Sequence, residues 1–198
     1  MRTVAVMIWL LILLVCIAAL YWHIEGVYRL PTPVPINYQE VKPGAAIDIN
    51  HKLPFKTDKP VFLHFYNPDC PCSRFNVPHF TSLVKAYGDK INFAIVPVTR
   101  KNLTANDILK KFNIAVPVLF DTTLPAACGV YSTPQAVILD TNRQLYFRGN
   151  YNRNRYCTDK KTEYARMAIN KLLHNNAAII FDQFALKAYG CQLPNCTK

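Results

Sequence analysis

Glycine is scarce in this chain, with six among 198 residues, and none stands in a run that could cradle a phosphate. Phosphate-binding loops need closely spaced glycines so that backbone amides can converge on the anion. Nucleotide chemistry of that kind is therefore excluded, and nothing points to haem or flavin, so no cofactor is expected. Acidic residues are also few, 12 against 23 Lys and Arg, for a net charge of +11. The excess is spread along the chain, and no basic motif is interleaved with aromatics. It reads as a solvated face, and nucleic acid is not expected as a partner. Internal repeats and low-complexity tracts are absent, and the length leaves room for one domain plus an anchor.

Charge is missing altogether from Thr3 to Tyr21. That run is long enough to span a hydrocarbon core, and Tyr21, Trp22 and His23 suit the membrane–water interface. A cleaved signal peptide has a shorter apolar run and a small-residue cleavage site. Cys16 follows Leu13-Leu14-Val15, a poor lipoprotein box, and reads as a small apolar residue. Residues 1–23 are therefore expected to form an uncleaved single-pass transmembrane anchor. Arg2 before the span favours an inside N-terminus and an exported domain, on the periplasmic side of a bacterial inner membrane. Of the seven cysteines, all but Cys16 lie beyond the anchor, which suits an oxidising compartment. Pro31, Pro33 and Pro35 make residues 24–43 a stiff spacer that would hold the domain off the membrane. The compact domain is expected over 44–175, with a cysteine-containing C-terminal extension at 176–198.

Within the domain, Val61 to Tyr66 reads as a buried strand and Ser73 to Tyr87 carries apolar residues at helical spacing. Ile91 to Val98 is a second strand, and Thr104 to Phe112 a short helix capped by Thr104 or Asn106. Val116 to Phe120 is short and apolar. Ala136 to Asp140 and Gln144 to Arg148 form a hairpin turning at Thr141-Asn142. Asp159 to Asn175 closes the domain as an amphipathic helix through Tyr164, Met167, Ala168 and Leu172. This alternation predicts an α/β sandwich.

The segment Phe65-Tyr66-Asn67-Pro68-Asp69-Cys70-Pro71-Cys72-Ser73 places a cysteine between a buried strand and a helix N-terminus. The helix dipole and the unpaired first-turn amides there stabilise a thiolate, which makes Cys70 the candidate nucleophile. The strand, this cysteine and Pro78 in the helix resemble the thioredoxin-like superfamily, in its membrane-anchored TlpA/ResA-like or redoxin (peroxiredoxin-like) members. The resemblance continues through Val116-Pro117-Val118 and Gly129-Val130-Tyr131-Ser132-Thr133-Pro134, and covers about residues 44 to 175. It implies a central mixed sheet flanked by helices, with one N-terminal transmembrane helix added. By resemblance, Cys70 takes the nucleophile's place. Thr133 and Pro134 match the cis-proline loop that holds substrate backbone. His64 stands where some thioredoxins keep a buried proton acceptor; it could act as a general base or be a satisfied core residue. The chain departs from the family at Ser73, where the second cysteine usually stands. The extra cysteine is Cys72 instead. A ring closed between residues two apart is strained and easily reduced, so Cys70 works either with Cys72 or with a more distant cysteine.

Cys128, Cys157, Cys191 and Cys196 allow three full pairings among themselves. Cys191 and Cys196 could staple the C-terminal tail; alternatively Cys157 or Cys191 reaches Cys70 and resolves it. The leading expectation is a membrane-tethered thiol–disulfide oxidoreductase acting on protein thiols and disulfides or on a small thiol. Peroxidase chemistry is disfavoured because Asn67 replaces the Thr or Ser of the usual peroxide-site pattern. One alternative is a copper-binding, Sco-like chaperone with Cys70 and Cys72 as soft ligands, although the only late histidine is His174. Another is a non-catalytic binding module on the same fold.

Overall fold

The structure, a computed structural model, describes residues 2–49, 53–54, 58–174 and 180–193. Strand β1 (Val61–Tyr66) is buried along its whole length, which is why its sequence is almost continuously apolar rather than alternating. It pairs in parallel with β2 (Asn92–Pro97) and antiparallel with β4 (Gln135–Leu139), and β4 pairs antiparallel with β5 (Leu145–Gly149). The order β2-β1-β4-β5 makes one mixed sheet. A parallel pair needs a long crossover, and helix α2 (Pro71–Tyr87) supplies it.

Successive side chains of β1 point to opposite faces. Phe62 and Tyr66 pack with Phe80 and Leu83 of α2, with Ile108 and Phe112 of α3 (Ala105–Phe112), and with Ala165, Ala168 and Ile169 of α5 (Tyr164–His174). Val61, Leu63 and Phe65 pack on the other face with Ile47, Ile49, Leu119, Leu124 and Val130. Each of these fully buried large side chains contributes about 1.5–3 kcal/mol by leaving water. Breaking β1 would therefore open both halves of the core.

Local chemistry sets the element ends. α2 begins at Pro71, whose missing N–H is one the first turn leaves unpaired anyway, and Cys70 is its N-cap. Thr104 caps α3 in a reciprocal box: its hydroxyl accepts from the Asp107 amide at 3.2 Å, and the Asp107 carboxylate accepts from the Thr104 amide at 2.9 Å. The β4–β5 turn is held by the Asp140 carboxylate, which accepts from the amides of Asn142 and Gln144. α5 begins at Tyr164 rather than Asp159, because Asp159 caps a separate 3-10 turn, Lys160–Thr162. Residues 116–120 add a parallel bridge at the sheet edge, between Ile95 and Val118. Between the halves of the domain lie the short helix α4 (Leu124–Ala127) and the two-residue strand β3 (Ser132–Thr133).

Helix α1 (Arg2–Ile24) has no buried residue and is long and apolar enough to cross a membrane. A 3-10 turn, Gly26–Arg29, follows it. The proline segment is extended, but it lies on the domain instead of standing clear of it. The Thr32 amide donates to Ala188 O at 2.7 Å, the Tyr38 hydroxyl to Gly129 O at 3.0 Å, and the Arg148 guanidinium to Val41 O at 2.7 Å. Prolines set the segment's stiffness, while its remaining polar groups find partners on the domain surface. The C-terminal stretch also returns to the fold. α6 (Gln183–Leu186) packs near β5, and β6 (Cys191–Gln192) pairs antiparallel with β3.

A buried cysteine cluster at the head of helix α2

The turn from β1 into α2 is fastened locally. Asn67 accepts the Asp69 amide on its side-chain oxygen at 2.9 Å, and its carbonyl accepts the Cys70 amide at 3.1 Å. The hydroxyl of Ser73 accepts the Asn67 amide at 3.3 Å. Ser73, at the position where the second cysteine of a thioredoxin-type pair would fall, is thus a buried structural group. The turn leaves Cys70 at the positive end of α2, where a thiolate is favoured. Its sulfur lies 3.5 Å from the carbonyl oxygen of Thr133, and the Thr133–Pro134 peptide bond is cis. Cys70, Thr133 and Pro134 therefore meet at one place.

Cys191 joins them through the sheet. β3 and β6 pair with Thr133 opposite Cys191, and Cys70 and Cys191 form a disulfide across 121 residues of sequence, with Cα atoms 6.3 Å apart. Gly190 permits the approach: a Cβ there would overlap the Thr133 carbonyl. Thr32 clamps the same strand, its hydroxyl donating to Gly190 O at 2.7 Å and lying 3.1 Å from the Ser132 hydroxyl. Cys72 stands outside the disulfide, yet the sulfurs of Cys70, Cys72 and Cys191 all lie within 4.8 Å of one another, and all three residues are buried. The distant partner is thus Cys191, and the Cys191–Cys196 staple is not the pairing formed. Cys196 itself lies outside the described residues.

The other sequence candidates lie elsewhere. His64 is fully buried, stacked on Phe80 at 4.5 Å between ring centres, with its Nδ1 2.7 Å from the Tyr151 hydroxyl. Burial, and secondarily the neighbouring His79, push its pKa down to about 3, so its imidazole is neutral and its partners are aromatic side chains. Cys128 is buried on the opposite face, among Leu124, Val130 and Val137. Cys157 packs against the α2/α5 core in a left-handed conformation with φ 57°. Burial, and then the nearby Cys72, push its thiol up to about 12, which removes its nucleophilic form near neutrality. His174 is exposed at the end of α5.

A cavity of about 440 Å³ opens beside the cluster, lined in part by Cys72, Pro134, Tyr28, Asn150, Arg155 and Tyr189. One wall comes from the segment just after α1. The Glu25 carboxylate accepts from Arg155 at 2.8 Å and from the Tyr156 hydroxyl at 2.9 Å, and the Arg155 guanidinium sits 4.2 Å from the centre of the Tyr28 ring. Sequence reasoning missed Glu25, Tyr28 and Arg155. The only signal was the Tyr- and Asn-rich stretch 151–156, which carries no chemistry by itself.

The sheet order, the helix that follows β1 with a cysteine at its head, and the cis-proline loop facing that cysteine define a thioredoxin-like fold. The chain belongs to the family described as Domain of unknown function (DUF6436), which matches residues 44–193. Among curated proteins none matches the chain in sequence. Solved structures that resemble it include a hypothetical protein from Sinorhizobium meliloti 1021, with TM-score 0.61, 15% identity, and coverage of 79% of this chain and 96% of that one. An uncharacterized conserved protein from Geobacillus kaustophilus matches with TM-score 0.56 and 16% identity, covering 76% of this chain and 93% of that one. A thiol:disulfide interchange protein of the thioredoxin family from Chlorobium tepidum TLS matches with TM-score 0.49 and 16% identity, covering 68% and 99%.

Proposed function

We propose that this chain is a thiol–disulfide oxidoreductase, tethered to a membrane through α1 with its domain on the exported side, in which Cys70 is the nucleophile and Cys191 resolves it. The observation that carries this reading is the Cys70–Cys191 disulfide seated at the N-terminus of α2 beside the cis Thr133–Pro134 loop. In the reduced chain the Cys70 thiolate attacks one sulfur of a substrate disulfide, forming a mixed disulfide and releasing the substrate's other sulfur as a thiolate. The Cys191 thiolate then attacks the Cys70 sulfur, releasing the remaining substrate thiolate and closing Cys70–Cys191. Two electrons pass to the substrate, and the same steps in reverse oxidise a dithiol. Thr133 positions both partners: it pairs with Cys191 and turns its carbonyl toward Cys70.

The test is a redox titration of the full chain in detergent micelles against glutathione buffers, with cysteine pairs mapped by mass spectrometry. A Cys70–Cys191 couple with a midpoint above roughly −300 mV supports exchange chemistry, because structural bridges lie below that value. A bond that stays closed through the whole range makes it a structural staple and ends the reading.

A further inference from the structure

Opening the Cys70–Cys191 bond leaves three thiols converging on one point, since the sulfurs of Cys70, Cys72 and Cys191 span no more than 4.8 Å. We propose that in this reduced state Cys70, Cys72 and Cys191 form a trigonal site for one Cu(I) ion. The inference goes beyond disulfide exchange, using the same cluster in its other oxidation state and giving Cys72 a task that exchange leaves unassigned.

The geometry suits a three-coordinate thiolate site. A metal–sulfur bond of roughly 2.3 Å places three sulfurs in a plane roughly 4 Å apart. Cys70 and Cys191 must separate toward that distance once their bond is broken. Cys72, within 4.8 Å of both, reaches it by a shift of under roughly 1 Å. Pro71 is what brings Cys70 and Cys72 to the same side: Cys70 is the extended N-cap, and the chain has turned into the helix by Cys72.

The donor set selects the ion. Among the described residues no histidine nitrogen or carboxylate oxygen joins the three sulfurs. Purely thiolate sites favour soft cations. Zn(II) asks for a fourth ligand from protein or water, whereas among the described residues this cluster offers three protein donors, all sulfur. Cu(I) is satisfied by three sulfurs. The net negative charge of the complex faces the N-terminus of α2 and the Arg155 guanidinium, which interacts electrostatically with Cys72. A phosphine or dithiol reductant gives two electrons, with two protons from water, to the disulfide, and the two thiols so formed and that of Cys72 together release three protons as Cu(I) binds.

The experiment uses the full chain in detergent micelles. Its disulfide is first mapped in the oxidised form. The chain is then reduced anaerobically, freed of reductant, and titrated with Cu(I) against a chromophoric Cu(I) chelator. The expected result is one Cu(I) per chain and an X-ray absorption spectrum with three sulfur scatterers. Cys72→Ser should weaken binding by more than about 100-fold, beyond what loss of an outer-shell contact costs, and leave a two-sulfur spectrum. The sulfur count in the unaltered chain decides the matter even if that variant folds poorly. No copper held against the chelator, a two-sulfur spectrum in the unaltered chain, or preferential uptake of Zn(II) overturns the proposal. A chain whose disulfide exchanges with glutathione but takes no copper loses this site and keeps the oxidoreductase reading. One that holds copper through three sulfurs while its disulfide resists exchange does the reverse.

Discussion

Thr133 stands opposite Cys191 in the β3–β6 pairing, and its own carbonyl oxygen lies 3.5 Å from the sulfur of Cys70. One loop residue thus sets the approach of two cysteines 121 residues apart. The chain's own C-terminal strand occupies the edge beside the cis-proline, so anything that unseats the strand should separate the cysteines.

Gly190→Ala is the smallest change that does so. The added methyl overlaps the Thr133 carbonyl and crowds the Ser132 hydroxyl, 2.7 Å away. The Thr133 carbonyl is backbone, so it cannot retreat without disturbing the β3–β6 pairing. A loss of about 1–3 kcal/mol, typical of overpacking, and a smaller fraction of Cys70–Cys191 disulfide at a fixed glutathione ratio are expected. Thermal melts and non-reducing peptide maps measure the two effects. An unchanged disulfide fraction would mean that β6 docking does not govern the bond.

Cys191→Ser separates attack from resolution. With Cys70 intact and its disulfide partner gone, oxidised glutathione should leave a stable adduct on Cys70, whereas the unaltered chain should discharge it and close its own disulfide. Intact-mass measurement after quenching shows which species accumulates. Equal adduct lifetimes in both chains would assign resolution to another cysteine.

Acid should destabilise the domain, through His64 in particular. Its folded pKa is about 3 against an ordinary 6.5, because burial and the neighbouring His79 disfavour the cation. The unfolded chain therefore binds more protons in that window. Stability is complete above pH 6.5 and falls as pH drops toward 3, with about 2 kcal/mol lost between pH 7 and pH 5 from this group alone. His79, also lowered chiefly by burial, adds in the same direction. Denaturant melts across that range should show the slope, and His64→Phe should flatten it while lowering stability at neutral pH, because the Tyr151 hydroxyl loses its partner. A parallel slope in the variant would assign the acid sensitivity elsewhere.

Arg155 ties the segment after α1 to the domain. Its pair with Glu25 is 2.8 Å long, with side chains only 11% and 21% exposed, and it also covers Tyr28. Removing it leaves the Glu25 carboxylate half-sheltered without its cation. Arg155→Ala is expected to cost about 1–3 kcal/mol and to expose residues 26–43 to limited proteolysis. A digestion pattern identical to that of the unaltered chain would show that the Thr32 and Tyr38 contacts hold the segment alone.

The fold was legible where its causes are local. Val61–Tyr66 is a strand because six consecutive residues are apolar or aromatic-like and short-range breakers bound them. Apolar spacing from Ser73 to Tyr87 announced α2, which the structure starts two residues earlier at Pro71, and of the two caps the sequence offered for α3, Thr104 and Asn106, Thr104 is the one formed. The C-terminal pairing was not legible, since four distant cysteines admit three connectivities and nothing near Cys191 names its partner. His64 was ambiguous for a similar reason. Residue type gives its ordinary pKa, but only the stacking of Phe80 and the depth of the sheet give the actual one. The proline segment revealed its stiffness and not its resting place.

By itself, the sequence determined an apolar helix long enough to cross a membrane, the order of the main strands and helices from β1 to α5, and a cysteine at the junction of β1 and α2. These follow from periodicity, backbone sterics and capping, which act over a few residues. Only the tertiary structure decided that Cys191 is the partner of Cys70, that Cys72 stands within reach of both, and that Glu25 and Tyr28 wall the adjoining cavity. Those outcomes depend on chain closure over a hundred residues or more, where packing of the whole sheet chooses among contacts that no local pattern encodes.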